Sequence, residues 1–276
     1  MKKTRTYKFV SLAILSGMFA FGFSSCSGSK KEKKTDPEVV EKTIKEEIKE
    51  YSYPIVSAFE VTEMLNEIEA SYIVGLTNDP EKAGTYFSEK DRAVNLGIYT
   101  ADLAYATTYN QKSDVQNYFK ASETLVRELD LTGAFQEDLP DQIEANLDNK
   151  EKLVEIITDM FQNAYSYLNQ QGRTEVSYLV LSGTVIEGLY LTTNVSENTF
   201  QNPKLIEAIL FQEEPLMKLE EMMEPYKDSE ILGDLYADIA SINAVYALEE
   251  GATSMTKEQV VKLTDLIASI RNKFVQ

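Results

Sequence analysis

The chain has 276 residues and a formal net charge of −18, with 45 acidic against 27 basic side chains, no histidine and a single cysteine. Without histidine or a second cysteine, Ser-His-Asp and Cys-His catalysis are excluded, as are ordinary zinc, haem and iron–sulfur ligation. The acidic balance opposes binding to nucleic-acid phosphates. No P-loop, GxGxxG, GxSxG or EF-hand loop occurs, so no cofactor and no metal is expected, and only carboxylate, lysine, tyrosine or serine chemistry remains.

The N-terminus is basic through Lys2, Lys3, Arg5 and Lys8, and is followed by an apolar run from Phe9 to Phe23 that Ser11, Ser16 and Gly17 interrupt. That run falls short of the roughly 20 apolar residues of a membrane span and suits the core of a secretory signal. It ends in Phe23-Ser24-Ser25-Cys26, which resembles the lipobox of bacterial lipoproteins, in which small residues precede an acylated cysteine; Phe23 stands where leucine is usual. On that resemblance, residues 1–25 are a signal peptide and Cys26 is the lipid-attachment site. Several acyl chains at about 0.8 kcal/mol per buried methylene would hold a soluble domain at a membrane.

Residues 26–35 then read as a lipidated, flexible, basic tether, spanning about 17 Å as a coil and at most about 30 Å. Of the 27 basic and 45 acidic residues, eight and one lie within the first 35, which leaves 19 against 44 for residues 36–276. The basic tether can touch anionic headgroups while the acidic body is repelled from them.

From residue 36 onward the pattern is helical. Residues 36–54 form an expected charged stalk, with Asp36-Pro37 capping a helix to about Glu50 and a break at Pro54. Residues 55–276 form an expected all-α globular domain, a multi-helix bundle or helical array. Ser57 and Glu60 suggest a capping box before Val61, Leu65, Ile68 and Tyr72, and Asn78-Asp79-Pro80 ends that helix. Ser88 opens a helix to Asn110; Ser113-Asp114 opens another that Gly133 stops. Leu139-Pro140 reads as a short irregular connection. Asp148 with Glu151 caps a helix running to Gly172.

Val176 to Val195 is read as helix, although Val176-Ser177-Tyr178-Leu179-Val180-Leu181 would also suit a strand. Pro203 starts the next helix, and Pro215 and Pro225 divide the region after it. Asp228 leads a helix toward Gly251. Thr256 and Gln259 box the last one, with Val260, Leu263, Ile267, Ile270 and Phe274 as its buried stripe.

Two stretches carry almost no charge: Asp102 stands alone between Arg92 and Lys112, and Glu187 alone between Glu175 and Glu197. Such helices are expected to be buried on most faces. Asn95, Thr100, Thr107, Ser182 and Thr184 make both too polar to read as membrane spans. The two align at a constant offset, Asp102, Tyr105, Thr107 and Thr108 against Glu187, Tyr190, Thr192 and Thr193, which suggests two pseudo-repeated halves.

A lone buried acid has two explanations. In the commoner, the carboxylate is satisfied structurally by a tyrosine at i+3, a threonine, or an arginine such as Arg92, Arg127 or Arg173. In the other, Asp102, Tyr105, Thr108, Glu187, Tyr190 and Thr193 form a ligand site for a cation or sugar, or the two acids act on a glycan as acid and base. The tyrosines divide in the same way: Tyr51 and Tyr53 could line a site, yet tyrosine as a core aromatic is commoner.

The segment from Asn95 to Gln111 resembles one in all-helical lipoproteins of Bacteroidota-type bacteria. The resemblance implies an envelope compartment and an all-α fold, and no activity. The resulting expectation is a membrane-anchored, non-catalytic binding or scaffold protein on the periplasmic face of the outer membrane. Ser27 and the lysines of the tether lack the acidic character of retention and surface-export signals. Its partners would be the membrane, through lipid, and an envelope protein or a small-molecule or glycan ligand.

Overall fold

The computed structural model describes residues 53–196, 199–248 and 252–276, with side chains from Ala58 onward. The signal, Cys26, the tether, the stalk helix and Tyr51 lie outside the described residues, as does the side chain of Tyr53. Among the described residues there are ten α-helices and no strand. They are α1 (Tyr53–Glu67), α2 (Glu89–Thr108), α3 (Lys112–Glu128), α4 (Leu139–Ala145), α5 (Lys150–Gln170), α6 (Thr174–Asn194), α7 (Pro203–Phe211), α8 (Glu213–Met223), α9 (Gly233–Tyr246) and α10 (Lys257–Asn272).

The two low-charge stretches become α2 and α6, and they pair more extensively than any other helices. Nearly every residue of α6 from Val176 to Thr193 is buried, which explains why its sequence lacks the polar face of a surface helix. By length and composition α6 could cross a bilayer, but 89% of its apolar window is buried inside the protein. The ambiguity at Val176–Leu181 resolves as helix. Its β-branched and aromatic residues serve all-round burial rather than a pleated face.

Close approach of the two helices rests on Gly97 and Gly183. A Cβ built on Gly97 would lie 2.0 Å from the Val180 carbonyl oxygen, and one built on Gly183 would lie 2.0 Å from that of Val94. The backbones therefore touch directly, and the Thr184 hydroxyl donates across the contact to the Gly97 carbonyl at 3.2 Å. Val94 meets Gly183 near the start of the contact, and Asp102 meets Glu187 further along both chains. The pairing advances in the same sense on each helix, so α2 and α6 run roughly parallel. The intervening α3, α4 and α5 make the return that parallel neighbours require.

Around this pair pack α1, α3, α5 and α10, with α7 and α8 against α6. The 70–88 connection lies over α2, held by tyrosine hydroxyls that satisfy its backbone. Tyr109 donates to the Ala70 carbonyl at 2.8 Å and Tyr99 to that of Asp79 at 2.7 Å, while Tyr105 accepts from the Ile73 amide at 3.1 Å.

Helix boundaries agree with the sequence at Ser88, at Asn202 and at the Thr256–Gln259 capping box. Elsewhere they move for local reasons. Ser57 and Glu60 lie inside α1, which begins earlier with Pro54 in its first turn, where a missing N–H costs nothing. The α3 helix stops before Gly133 because Asp130 adopts the left-handed conformation at φ 55. Leu139-Pro140 opens the short α4 rather than an irregular connection. Asn149, not Asp148, caps α5, accepting from the Lys152 amide at 3.1 Å. Asp228 leads a turn, and the helix after it begins only at Gly233.

Candidate functional site

Asp102 and Glu187, placed on facing helices by the parallel pairing, come together at the centre of the protein, each with 0% exposure. They lie near enough for the charge of one to act on the other. Oδ2 of Asp102 accepts from the Asn78 amide at 3.1 Å, and its Oδ1 has no hydrogen-bond partner among the described residues. Burial first, and then the Glu187 charge, push the Asp102 carboxyl well above its usual range, against the opposing pull of Arg271. The direction of that shift favours the neutral, protonated form of Asp102.

Glu187 is gripped from the other side. Arg271, in the last turn of α10 and only 6% exposed, donates Nε to Oε2 at 2.5 Å and an Nη to Oε1 at 2.8 Å. This is the bidentate geometry in which a guanidinium matches a carboxylate. The guanidinium carbon also lies 4.0 Å from the centroid of the Tyr190 ring, a cation–π contact. The net result is a dry cluster with one positive charge, one negative charge and one neutral acid.

A polar frame holds it. The Asn78 side chain donates to the Tyr86 hydroxyl at 2.9 Å and to Oδ1 of Asn95 at 3.1 Å. Asn95 in turn donates to the Phe274 carbonyl at 2.9 Å, and Lys82 donates to that of Val275 at 2.7 Å. The 78–82 segment and the C-terminal residues are thereby tied to each other and to Asn95 on α2.

Of the six residues expected to form a ligand site, the fold unites Asp102, Glu187 and, through Arg271, Tyr190. The others are occupied separately. Tyr105 stacks on Tyr72 with centroids 4.7 Å apart, Thr108 bonds the Thr62 hydroxyl at 2.8 Å, and Thr193 donates to the Leu189 carbonyl at 2.8 Å. The arginines expected as partners are also elsewhere. Arg92 pairs with Glu128 at 2.9 Å and Arg173 with Glu89 at 2.7 Å, while Arg127 lies on α3 beside a surface cavity.

The partner that sequence reasoning passed over, Arg271, falls four residues after Ile267 and eleven after Val260, on the edge of the α10 apolar stripe. A cation at that spacing was the available signal. The Asn78-Asp79-Pro80 turn marks Asn78 as a loop residue but gives no sign that its amide and side chain reach Asp102 and Asn95.

As chemistry, the cluster is closed. Carboxyls that act on a glycan must face it in an open cleft, and these two are enclosed. A cation entering between them would meet the guanidinium already in place. Comparison with known protein families, with curated proteins and with solved structures gives no match for this chain.

Proposed function

We propose that this chain is a lipid-anchored protein of the bacterial cell envelope with a non-catalytic binding or scaffold role, held at the periplasmic face of the outer membrane. The observation that carries the reading is Cys26. It is the one cysteine in 276 residues, and it stands directly after Ser24 and Ser25 at the end of a basic and then apolar leader. The body supports the non-catalytic half of the reading. Its two most unusual acids are sealed in the core, with Glu187 paired to Arg271 and the Asp102 carboxyl pushed toward its neutral form by burial, as a structural role demands.

The test is acylation and fractionation. Cys26→Ala should abolish incorporation of radiolabelled palmitate and move the protein from the membrane pellet to the soluble fraction. A variant that still pellets with membranes at the mass of the processed protein would remove the anchor from this account. For the second half, crosslinking in intact cells should yield a specific envelope partner in the acylated protein and lose it in Cys26→Ala.

A further inference from the structure

A cavity of about 280 Å³ opens between α3, the 132–140 segment and α5. Its floor is apolar, built from Phe119, Val126, Phe135, Leu139 and Met160. The volume is roughly twice that of an apolar protein cavity of about 150 Å³ that admits benzene. Two phenyl rings and a thioether make it most favourable for an aromatic guest, through edge-to-face and sulfur–aromatic contacts.

Three charged residues line the same cavity, the carboxylates of Glu123 and Glu137 and the guanidinium of Arg127. Glu123 and Arg127 stand one turn apart on α3, and both contribute to the cavity wall. At this i,i+4 spacing they could pair with each other, yet no ion pair joins them, in contrast to Lys152 with Glu155 or Arg92 with Glu128. Burial pushes the Glu123 carboxyl up, with Arg127 and Lys120 opposing, and a cation placed against it would oppose that shift further. A site that offers an apolar pocket, a carboxylate and a guanidinium within one turn is complementary to a molecule with an apolar side chain, an ammonium and a carboxylate on adjoining atoms.

We infer that this cavity is a binding site for a free apolar α-amino acid, aromatic by preference, with its side chain on the Phe119–Phe135–Met160 floor, its ammonium on Glu123 and its carboxylate on Arg127. The inference rests on the binding role proposed above and supplies its ligand class, and it is independent of acylation at Cys26.

The probe is L-phenylalanine, titrated calorimetrically into the chain as isolated from the producing cells, in lipid nanodiscs if it is acylated and in plain buffer if it is not. Saturable binding of one equivalent is expected. Phenethylamine, which lacks the carboxylate, 3-phenylpropionate, which lacks the ammonium, and glutamine, which lacks the apolar group, should each bind at least about tenfold more weakly, since a hydrogen bond to a charged group is worth about a factor of ten or more. Glu123→Gln should lose affinity for phenylalanine but not for 3-phenylpropionate, and Arg127→Gln should lose affinity for phenylalanine but not for phenethylamine. Both positions are at least partly exposed, so melting temperatures should stay at the parent value.

No saturable binding of phenylalanine overturns the site, as does equal binding of either singly charged analogue. Affinity that survives both substitutions overturns it too. Because membrane fractionation of Cys26→Ala reads the anchor alone, failure here and failure of the anchor are distinguishable.

Discussion

Asp102, Glu187 and Arg271 share one dry volume, and electrostatics decides how many charges they carry there. With both acids ionised the cluster would hold an uncompensated negative charge, at a cost of several kcal/mol; one retained proton removes it. Because the folded protein keeps that proton on Asp102 while the unfolded chain releases it near the ordinary carboxylate value of about 3.9, the folded state binds more protons above that pH. Stability from this group is therefore complete below about pH 4. It falls as pH rises toward the raised folded value. Asparagine is a neutral mimic of the protonated acid: its oxygen can accept from the Asn78 amide and its amide can donate to Glu187. Asp102→Asn should fold with stability within about 1 kcal/mol of the parent at pH 5 and gain on it steadily at higher pH; parallel urea-denaturation profiles from pH 5 to 9 would show that Asp102 carries no proton in the fold. Glu187→Gln has the opposite consequence. It leaves a buried guanidinium without its bidentate partner, a loss of about 3 to 5 kcal/mol, readable in the same experiment at a single pH.

At the scale of helices, the contact between Gly97 and Gly183 fixes how near α2 and α6 can come, and so whether Asp102 meets Glu187 at all. A methyl group at either position must displace backbone, not a flexible side chain, because its nearest neighbours are the carbonyls of Val180 and Val94. Gly97→Ala or Gly183→Ala should cost about 3 kcal/mol, seen as a lower urea midpoint, whereas alanine at Gly84, where a Cβ meets nothing within 4 Å, should cost almost nothing. This is also the scale at which the sequence was most legible. Periodicity placed most of the helices, although the one expected to run on to Asn78 ends at Glu67 and several expected caps fall inside or outside their helices. The low charge of 93–111 and 176–196 correctly marked the buried pair. The acids stood out because a charge is rare on such helices. What remained hidden has a physical cause in each instance. Arg271 is distant in sequence from Glu187, and only the folded chain brings a stripe-edge arginine to a particular acid. Asn78 acts through a backbone amide in a loop, where no periodicity exists to mark it. Asp130 ends α3 in a left-handed conformation that asparagine and aspartate tolerate, so the glycine three residues later was the wrong marker.

For the whole molecule, the last helix supplies what the first half lacks. The end of α10 contributes Arg271 to Glu187, and the residues after it contribute the Phe274 and Val275 carbonyls to Asn95 and Lys82, so the C-terminal segment is threaded against both the central pair and the 78–82 connection. Removing residues 274–276 should lower stability by about 2 to 4 kcal/mol, from two lost hydrogen bonds and the burial of Phe274 and Val275; a truncated chain that melts with the parent would show that this clamp contributes nothing. Removing α10 entirely should leave no cooperative melt. There is a consequence in time as well as in energy. A polypeptide leaves the ribosome N-terminus first, and until its final helix has emerged Glu187 has no Arg271 guanidinium to meet. Premature closure of α2 on α6 is penalised by the very residues that later lock it. The α2–α6 pair is therefore expected to reach its full stability only when the last turn of α10 is in place.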